Sequence, residues 1–395
     1  MQPANLESNI WKYTVLLITN KRIHAAILSA YYLTIPDVTA KILGLILMVG
    51  NIAGFALEIP SGYLSDKLGH KEALVVAKMS LVLSTLFFLF ANSIPFLILG
   101  AVFFSIGLAF LSGTGTAFLH ETLRALGKEN EFTKISGKAS SIGFAVPIVL
   151  TVLIPFLIEF SFKAPFVISL ILDIIGLIVT LSLIKPKVTQ EHIDEIGITN
   201  FKAVIKEGYR LGFFKYALFV ALISAIVLCA SYYRAPYQLI LGIPVIWFGV
   251  LFGIGRAFAS LLLFWSDGIK KYFNTTVSFF AFEIFLYFTL FLMLGATKSP
   301  ILVALVYIVI NAFQWGLGQI NLGFMVDVIK DSKFKATLLS TQSQINNISF
   351  ALMAAVMGYY IDLTSYQLAY LGLAVFLLIT SLPIYFYIIK KHQPV

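Results

Sequence analysis

The sequence predicts an all-α membrane protein with twelve transmembrane helices in two six-helix halves related by a pseudo-two-fold axis. Three observations carry this reading. Of the 395 residues, 59% are hydrophobic and 12% charged, with a mean hydropathy of +0.93, whereas a soluble domain carries roughly a quarter charged residues. Apolar stretches of about 20 residues recur, each long enough to cross the hydrocarbon as a helix that satisfies its own backbone where no water reaches. The stretch "SDKLGHK" at 65–71 is echoed by "SDGIKKY" at 266–272, and "GNIAG" at 50–54 more loosely by "GVLFG" at 249–253, an offset of about half the chain. Parallel six-helix repeats related by an axis along the membrane normal produce such an echo.

The spans are expected, in order, at 13–35, 39–64, 72–92, 95–121, 137–160, 164–184, 214–236, 244–265, 275–295, 300–326, 336–360 and 366–389. Met1 to Arg22 has neither a basic start nor a small-residue cleavage site, so the first span is read as an anchor and not a removable signal. The second runs into the polar stretch "EIPSGYLSDKLGHK" at 58–71, the fourth ends in "SGTGTAFLHETL" at 112–123, and the fifth carries "GFAVP". Residues 185–210 form the longest polar connection and divide one half, 1–184, from the other, 211–395. Within it Phe201, Val204 and Ile205 fall at helical spacing, which suits either a helix lying on the membrane surface or a solvated linker. The lone Cys229 falls inside the seventh span, so neither a disulfide framework nor a thiolate metal cluster is available.

The net charge of +9 does not call for nucleic acid, because its distribution has a plainer cause. With the N-terminus inside, most Lys and Arg fall in cytoplasmic segments, among them Lys12, Lys21, Arg22, Lys67, Lys71, Lys78, Arg124, Lys128, Lys187, Lys270, Lys271, Lys330, Lys333, Lys335 and Lys391, whereas Lys41, Lys163 and Lys298 lie on the other side. The positive-inside rule then places both termini in the cytoplasm of a multi-pass protein of the cell (inner) membrane.

The run Gly62-Tyr63-Leu64-Ser65-Asp66-Lys67-Leu68-Gly69-His70-Lys71 resembles the signature between helices two and three of the major facilitator superfamily. "EIPSG" and "SGTGTAFLHETL" further resemble a group of poorly characterised prokaryotic members. The chain departs from the proton-coupled members in having no arginine within 95–121, and from drug antiporters in offering only "GFAVP" in the fifth span. The resemblance implies that Asp66 with Lys71 latches the cytoplasmic ends of the halves together in the outward-open state. In physical terms Gly62 would allow close helix approach, Gly69 would supply a turn, and Asp66 would accept backbone hydrogen bonds or face a helix N-terminus. Lys67 completes this gating motif, and Asp267 is its weaker echo in the second half.

Charge inside hydrocarbon is costly and marks cavities or partners. Glu58 in span two, Asp173 in six, Glu283 in nine and Glu121 at the inner end of four qualify, with Arg234 and Arg256 in seven and eight as possible partners. The resemblance implies that spans two and eight flank a central cavity, which favours Glu58 and Arg256, and that six and nine are peripheral, which makes Asp173 and Glu283 structural pairs. In span ten Asn311, Gln314, Gly318 and Asn321 share one helix face beside Trp315. Ser340, Gln344 and Asn347 repeat the pattern in span eleven, and Tyr31 joins His24 in span one, with His24 read as an interface residue. Interhelical hydrogen bonding would account for each of these equally well.

No catalytic constellation is visible. "SGTGTAF" lacks the preceding strand and the Gly-Lys-Ser/Thr ending of a phosphate loop, and the histidines 24, 70, 120, 192 and 392 do not fall at metal-ligand spacing. No metal, cofactor or nucleic acid is implied. The expected protein is a monomeric secondary transporter in the bilayer, moving a small organic solute by alternating access, with proton-coupled efflux ahead of uptake of a polar nutrient or metal chelate. A lipid flippase stays open.

Overall fold

Backbone amides in hydrocarbon must be satisfied within their own segment, and every regular element among the described residues is accordingly a helix. The computed structural model describes residues 3–186, 201–329, 332 and 334–390. Residues 187–200 of the central connection, and Lys187, Lys330, Lys333 and Lys391 of the charge asymmetry, lie outside them, as do the side chains of Asp66 and Lys335. The first helices are α1 (Pro3–Thr19), α2 (Leu28–Tyr32), α3 (Ala40–Leu68), α4 (His70–Leu89), α5 (Ile94–Leu111), α6 (Thr114–Ala125), α7 (Phe132–Leu153) and α8 (Ala164–Leu181). They are followed by α9 (Phe201–Arg210), α10 (Phe213–Tyr232), α11 (Arg234–Ile240), α12 (Ile246–Phe264), α13 (Ser266–Phe273), α14 (Thr276–Ala296), α15 (Pro300–Gly316), α16 (Gly318–Val328), α17 (Lys335–Leu363) and α18 (Tyr366–Lys390).

The chain folds as two compact units. One comprises Met1–Tyr31 with Val49–Ile198, the other Tyr32–Met48 with Thr199–Val395. In the first, α4 packs mainly against α5 and α8, and α1 against α7 and α8. In the second, α12 packs on α15, α14 on α18, and α10 on α17 and α18. Ten helices or helix pairs among the described residues are long and apolar enough to cross a membrane. The expected first and eleventh spans are not among them, α1 because it is only 17 residues long and α17 because polar groups such as Gln342, Gln344, Asn346 and Asn347 run along it.

Several boundaries differ from the expected ones for identifiable reasons. The first span is interrupted: α1 ends at Thr19, turns occupy most of the stretch to α2, and α2 is five residues long. The second span runs past its expected end at Leu64, because α3 continues through Asp66 to Leu68 and the turn is confined to Gly69, at φ +105°. The fourth span breaks into α5 and α6 at Gly113, φ +72°. Both glycines occupy backbone conformations that a Cβ would oppose. Gly62, by contrast, is exposed, and a Cβ there would meet no described atom within 4 Å, so it does not serve the close helix approach expected of it.

A close approach does occur at the other end of α3, within the second unit. A Cβ on Gly358 of α17 would collide with the Ala40 carbonyl oxygen. The Asp362 carboxylate accepts from the backbone N–H of Ala40 at 3.1 Å and of Lys41 at 3.0 Å, satisfying donors that a helix start leaves open. The Tyr233 hydroxyl lies 2.7 Å from the Ala354 carbonyl oxygen and 3.2 Å from that of Ala40. In the central connection, α9 buries Val204, and Gly208 lies against Phe214 and Leu338.

Candidate functional site

The polar groups of the first unit form two clusters. One joins the end of α3 to α4 and α6. Ser65 Oγ lies 3.1 Å from Thr114 Oγ1 and 2.9 Å from His70 Nδ1, and His70 Nε2 lies 3.2 Å from Glu121 Oε1. Glu121 therefore meets the histidine of the signature stretch, a partner that sequence reasoning missed although both residues were in view. Lys67 sits with Nζ 5.9 Å from the Tyr63 ring, and Lys71 follows the turn at Gly69. Glu58, half-buried, accepts from Ser112 Oγ at 3.3 Å.

The second cluster lies where the first span is interrupted. Arg22 Nη1 is 2.7 Å from Asp173 Oδ2, and Thr85 Oγ1 donates to the same oxygen at 2.6 Å. Lys78, with no exposed surface, donates from Nζ to Thr19 Oγ1 at 2.7 Å. Arg22 and Lys78 are thus not cytoplasmic surface charges, and they leave the set expected to orient the protein. His24 is likewise not an interface residue but is buried, stacked on Phe166 with centroids 4.7 Å apart and 2.8 Å from Ser169 Oγ. Tyr31, also buried, donates to the Phe88 carbonyl oxygen at 2.7 Å.

The second unit holds a cavity of about 250 Å³ between α10, α14, α15, α16 and α17. Its polar wall includes Ser224, Glu283, Gln314, Asn321, Gln342 and Asn346, and Trp315 and Tyr287 supply aromatic surface. Asn321 Nδ2 donates to Glu283 Oε1 at 2.8 Å, and Ser231 donates to Gln314 Oε1 at 2.6 Å. Glu283 Oε2 and Asn321 Oδ1 are buried with no hydrogen-bond partner among the described residues. The reading of Glu283 as a peripheral structural pair is corrected accordingly: its carboxylate lies on the cavity wall. On α17 the amides at this cavity are Gln342 and Asn346, not Gln344 and Asn347, which are half-buried elsewhere on the helix. Asn311 does not line it but donates to the Phe252 carbonyl oxygen at 2.9 Å.

Arg234 and Arg256 share the Phe252 ring, with guanidinium carbons 4.7 and 4.9 Å from its centroid. Arg256 also lies 3.8 Å over Trp315, the residue whose ring borders the cavity. Its buried Nε has no hydrogen-bond partner among the described residues. The acids find other partners: Arg22 for Asp173, His70 for Glu121, Asn321 for Glu283 and Ser112 for Glu58. Asp267 pairs with Lys271 of its own helix at 2.7 Å, with both side chains exposed, where screening leaves such a pair little effect. Among the described residues no group of three or more His, Cys, Asp or Glu could hold a metal ion.

Apolar helices long enough to span a bilayer, with a polar-walled cavity among those of the second unit, define a helical membrane protein. The chain belongs to the Major Facilitator Superfamily, whose model matches residues 13–334. It is 28% identical over 214 residues to an uncharacterized transporter of Buchnera aphidicola subsp. Schizaphis graminum (strain Sg), a match covering 54% of this chain and 52% of that protein, so it spans about half the length of that curated relative. Among solved structures the fold is similar to the nucleoside transporter NupG, at TM-score 0.74 and 13% identity, over 98% of this chain and 99% of that one. It is also similar to a D-xylose–proton symporter, at TM-score 0.64 and 12% identity, over 95% and 97%. A bacterial homolog of the human lysosomal transporter Spinster matches at TM-score 0.70 and 13% identity, over 97% and 96%. The protein is accordingly a multi-pass membrane protein of that superfamily.

Proposed function

We propose that this transporter moves a small amphipathic organic solute outward across the cell membrane by alternating access, in exchange for protons. Residues 1–184 rock against 211–395, and Arg256 holds an anionic or hydrogen-bonding group of the solute. One observation carries the reading. The Arg256 guanidinium lies between Phe252 and Trp315 with no carboxylate within 4.0 Å among the described residues, and its Nε is unsatisfied. A half-buried cation held only by π faces is poised for an anionic or strongly accepting group, to which a guanidinium presents a planar fork of donors. The gating role belongs to the end of α3, where Ser65, His70 and Glu121 tie three helices together beside Asp66, Lys67 and Lys71. Both termini face the cytoplasm, a reading that rests on the lysines around 67–71, 128 and 270–271.

The amides around the cavity favour a second reading, import of a polar nutrient, because Gln314, Asn321, Gln342 and Asn346 offer neutral hydrogen bonds on every side. A thermal-shift screen of the purified chain separates the two. Amphipathic carboxylates should raise the melting temperature by mass action and should cease to do so in Arg256→Ala. A rise produced only by neutral polyols or nucleosides, and equal in Arg256→Ala, would favour the import reading and remove Arg256 from the site.

A further inference from the structure

The charged cluster of the first unit has no part in the solute site. Lys78 lies eight residues into the 20-residue α4, about 12 Å along it at 1.5 Å per residue, and Asp173 lies midway along α8. Both are therefore deep within helices that are long and apolar enough to span. Two cations face one carboxylate here, and that carboxylate is already engaged by Arg22 and Thr85. Lys78 has no carboxylate within 4.0 Å among the described residues, and the bond its Nζ makes is to a neutral hydroxyl, Thr19 Oγ1. Gly176 makes room for this arrangement: a Cβ there would fall 2.5 Å from Thr19 Oγ1 and 2.8 Å from Lys78 Nζ.

An apolar residue in place of a buried lysine costs less than an ammonium so poorly partnered, and an intramembrane ionisable group of this kind points to function. The location adds a second argument. Thr19 ends α1 and Arg22 lies in the interruption of the first span, and interrupted membrane helices are where coupling ions are bound. A cluster with two cations and one acid repels a metal cation. An amine, however, has a lone pair that accepts a proton.

We propose that Lys78 is the proton-exchange site of the transport cycle. The Nζ lone pair takes a proton from water on one side to give the ammonium, held by Thr19, and the ammonium returns that proton to water on the other side as an amine, while Arg22 and Asp173 stay paired throughout. The inference rests on the proton coupling proposed above and assigns it to a residue. Of the charged and titratable groups on elements packed against α4, Asp173 of α8 and Arg22 of the interruption act on Lys78. α5 carries none, and His120, Glu121 and Arg124 of α6 are engaged with Glu129 and His70, the last at the start of α4.

A bound proton drives alternation only if it favours one of two conformations over the other. The test uses the full chain with Cys229→Ala and spin labels on cysteines at Ser161 and Ser299, one in each unit, reconstituted in lipid nanodiscs without solute. Between pH 5 and 9 the distance distribution of otherwise wild-type protein should shift between two populations. The shift should be lost in Lys78→Met and also in Lys78→Arg, which keeps the charge but does not titrate. Thr19→Val, which removes the acceptor of the ammonium, should move the midpoint to lower pH. Persistence of the wild-type shift in Lys78→Arg, or an unmoved midpoint in Thr19→Val, would overturn the assignment while leaving proton coupling intact. A wild-type distribution that ignores pH would overturn the assignment together with the coupling. Neither result bears on solute recognition at Arg256, which the thermal shift reads separately.

Discussion

Arg256 touches two aromatic faces, at 3.8 Å to Trp315 and 4.9 Å to Phe252, and these contacts hold a cation without discharging its hydrogen-bonding capacity. Arg256→Ala should therefore abolish transport with little loss of folded protein, whereas Arg256→Lys, which keeps charge but loses the planar fork, should retain a small fraction. Flux and size-exclusion profiles measured together check this, and an unfolded Arg256→Ala would recast the residue as structural. The sequence made Arg256 conspicuous because a guanidinium midway along an apolar span has few innocent explanations. Lys78 was equally visible, inside "ALVVAKMSLVLSTL", yet its position near the start of a span let it pass for a positive-inside lysine. The distinction lies in the neighbours, Thr19 and Gly176, which are distant in sequence and leave no periodic trace.

At the scale of elements, α3 is fixed at one end by α17. The Asp362 carboxylate accepts from the first two N–H groups of α3, doing from another helix what an N-cap side chain does locally. Asp362→Ala should lower stability by about 1 kcal/mol, the usual worth of a lost cap, read as a reduced melting temperature in detergent. Gly358→Ala should cost more, about 1–3 kcal/mol, because the added methyl meets the backbone carbonyl of Ala40, which cannot rotate away as a side chain would. A variant as stable as the parent would show that the two helices separate more readily than their contacts imply. Periodicity located the polar faces of α15 and α16 at Gln314 and Asn321, but on α17 it selected Gln344 and Asn347 where the cavity receives Gln342 and Asn346. That helix carries amides on more than one face, so spacing alone had nothing to choose between. Hydropathy ends the second span at Leu64, where Ser65, Asp66 and Lys67 follow, but hydrophilic residues at the end of a helix do not break it, and only Gly69 requires a turn.

For the whole molecule, the helical membrane fold was legible from hydropathy, since long apolar runs in a bilayer must satisfy their own backbone as helices. The interruption of the first span was not, although Asn20, Lys21, Arg22 and His24 break its apolar run, because the contacts that hold it, Arg22 to Asp173 and Thr19 to Lys78, join residues distant in sequence. If the termini are cytoplasmic, cysteines at Ser161 and Ser299 in the Cys229→Ala chain should react with an impermeant thiol reagent applied to intact cells, and one at Asn130 should react only after permeabilisation. The opposite pattern would invert the orientation and with it the direction of transport. The most direct test of solute transport at Arg256 is counterflow in proteoliposomes. Vesicles loaded with the amphipathic carboxylate that gives the largest thermal shift should take up a radiolabelled trace of the same compound without nucleotide, in a saturable manner, and vesicles carrying Arg256→Ala should not. Uptake that requires ATP, or counterflow undiminished in Arg256→Ala, would contradict it.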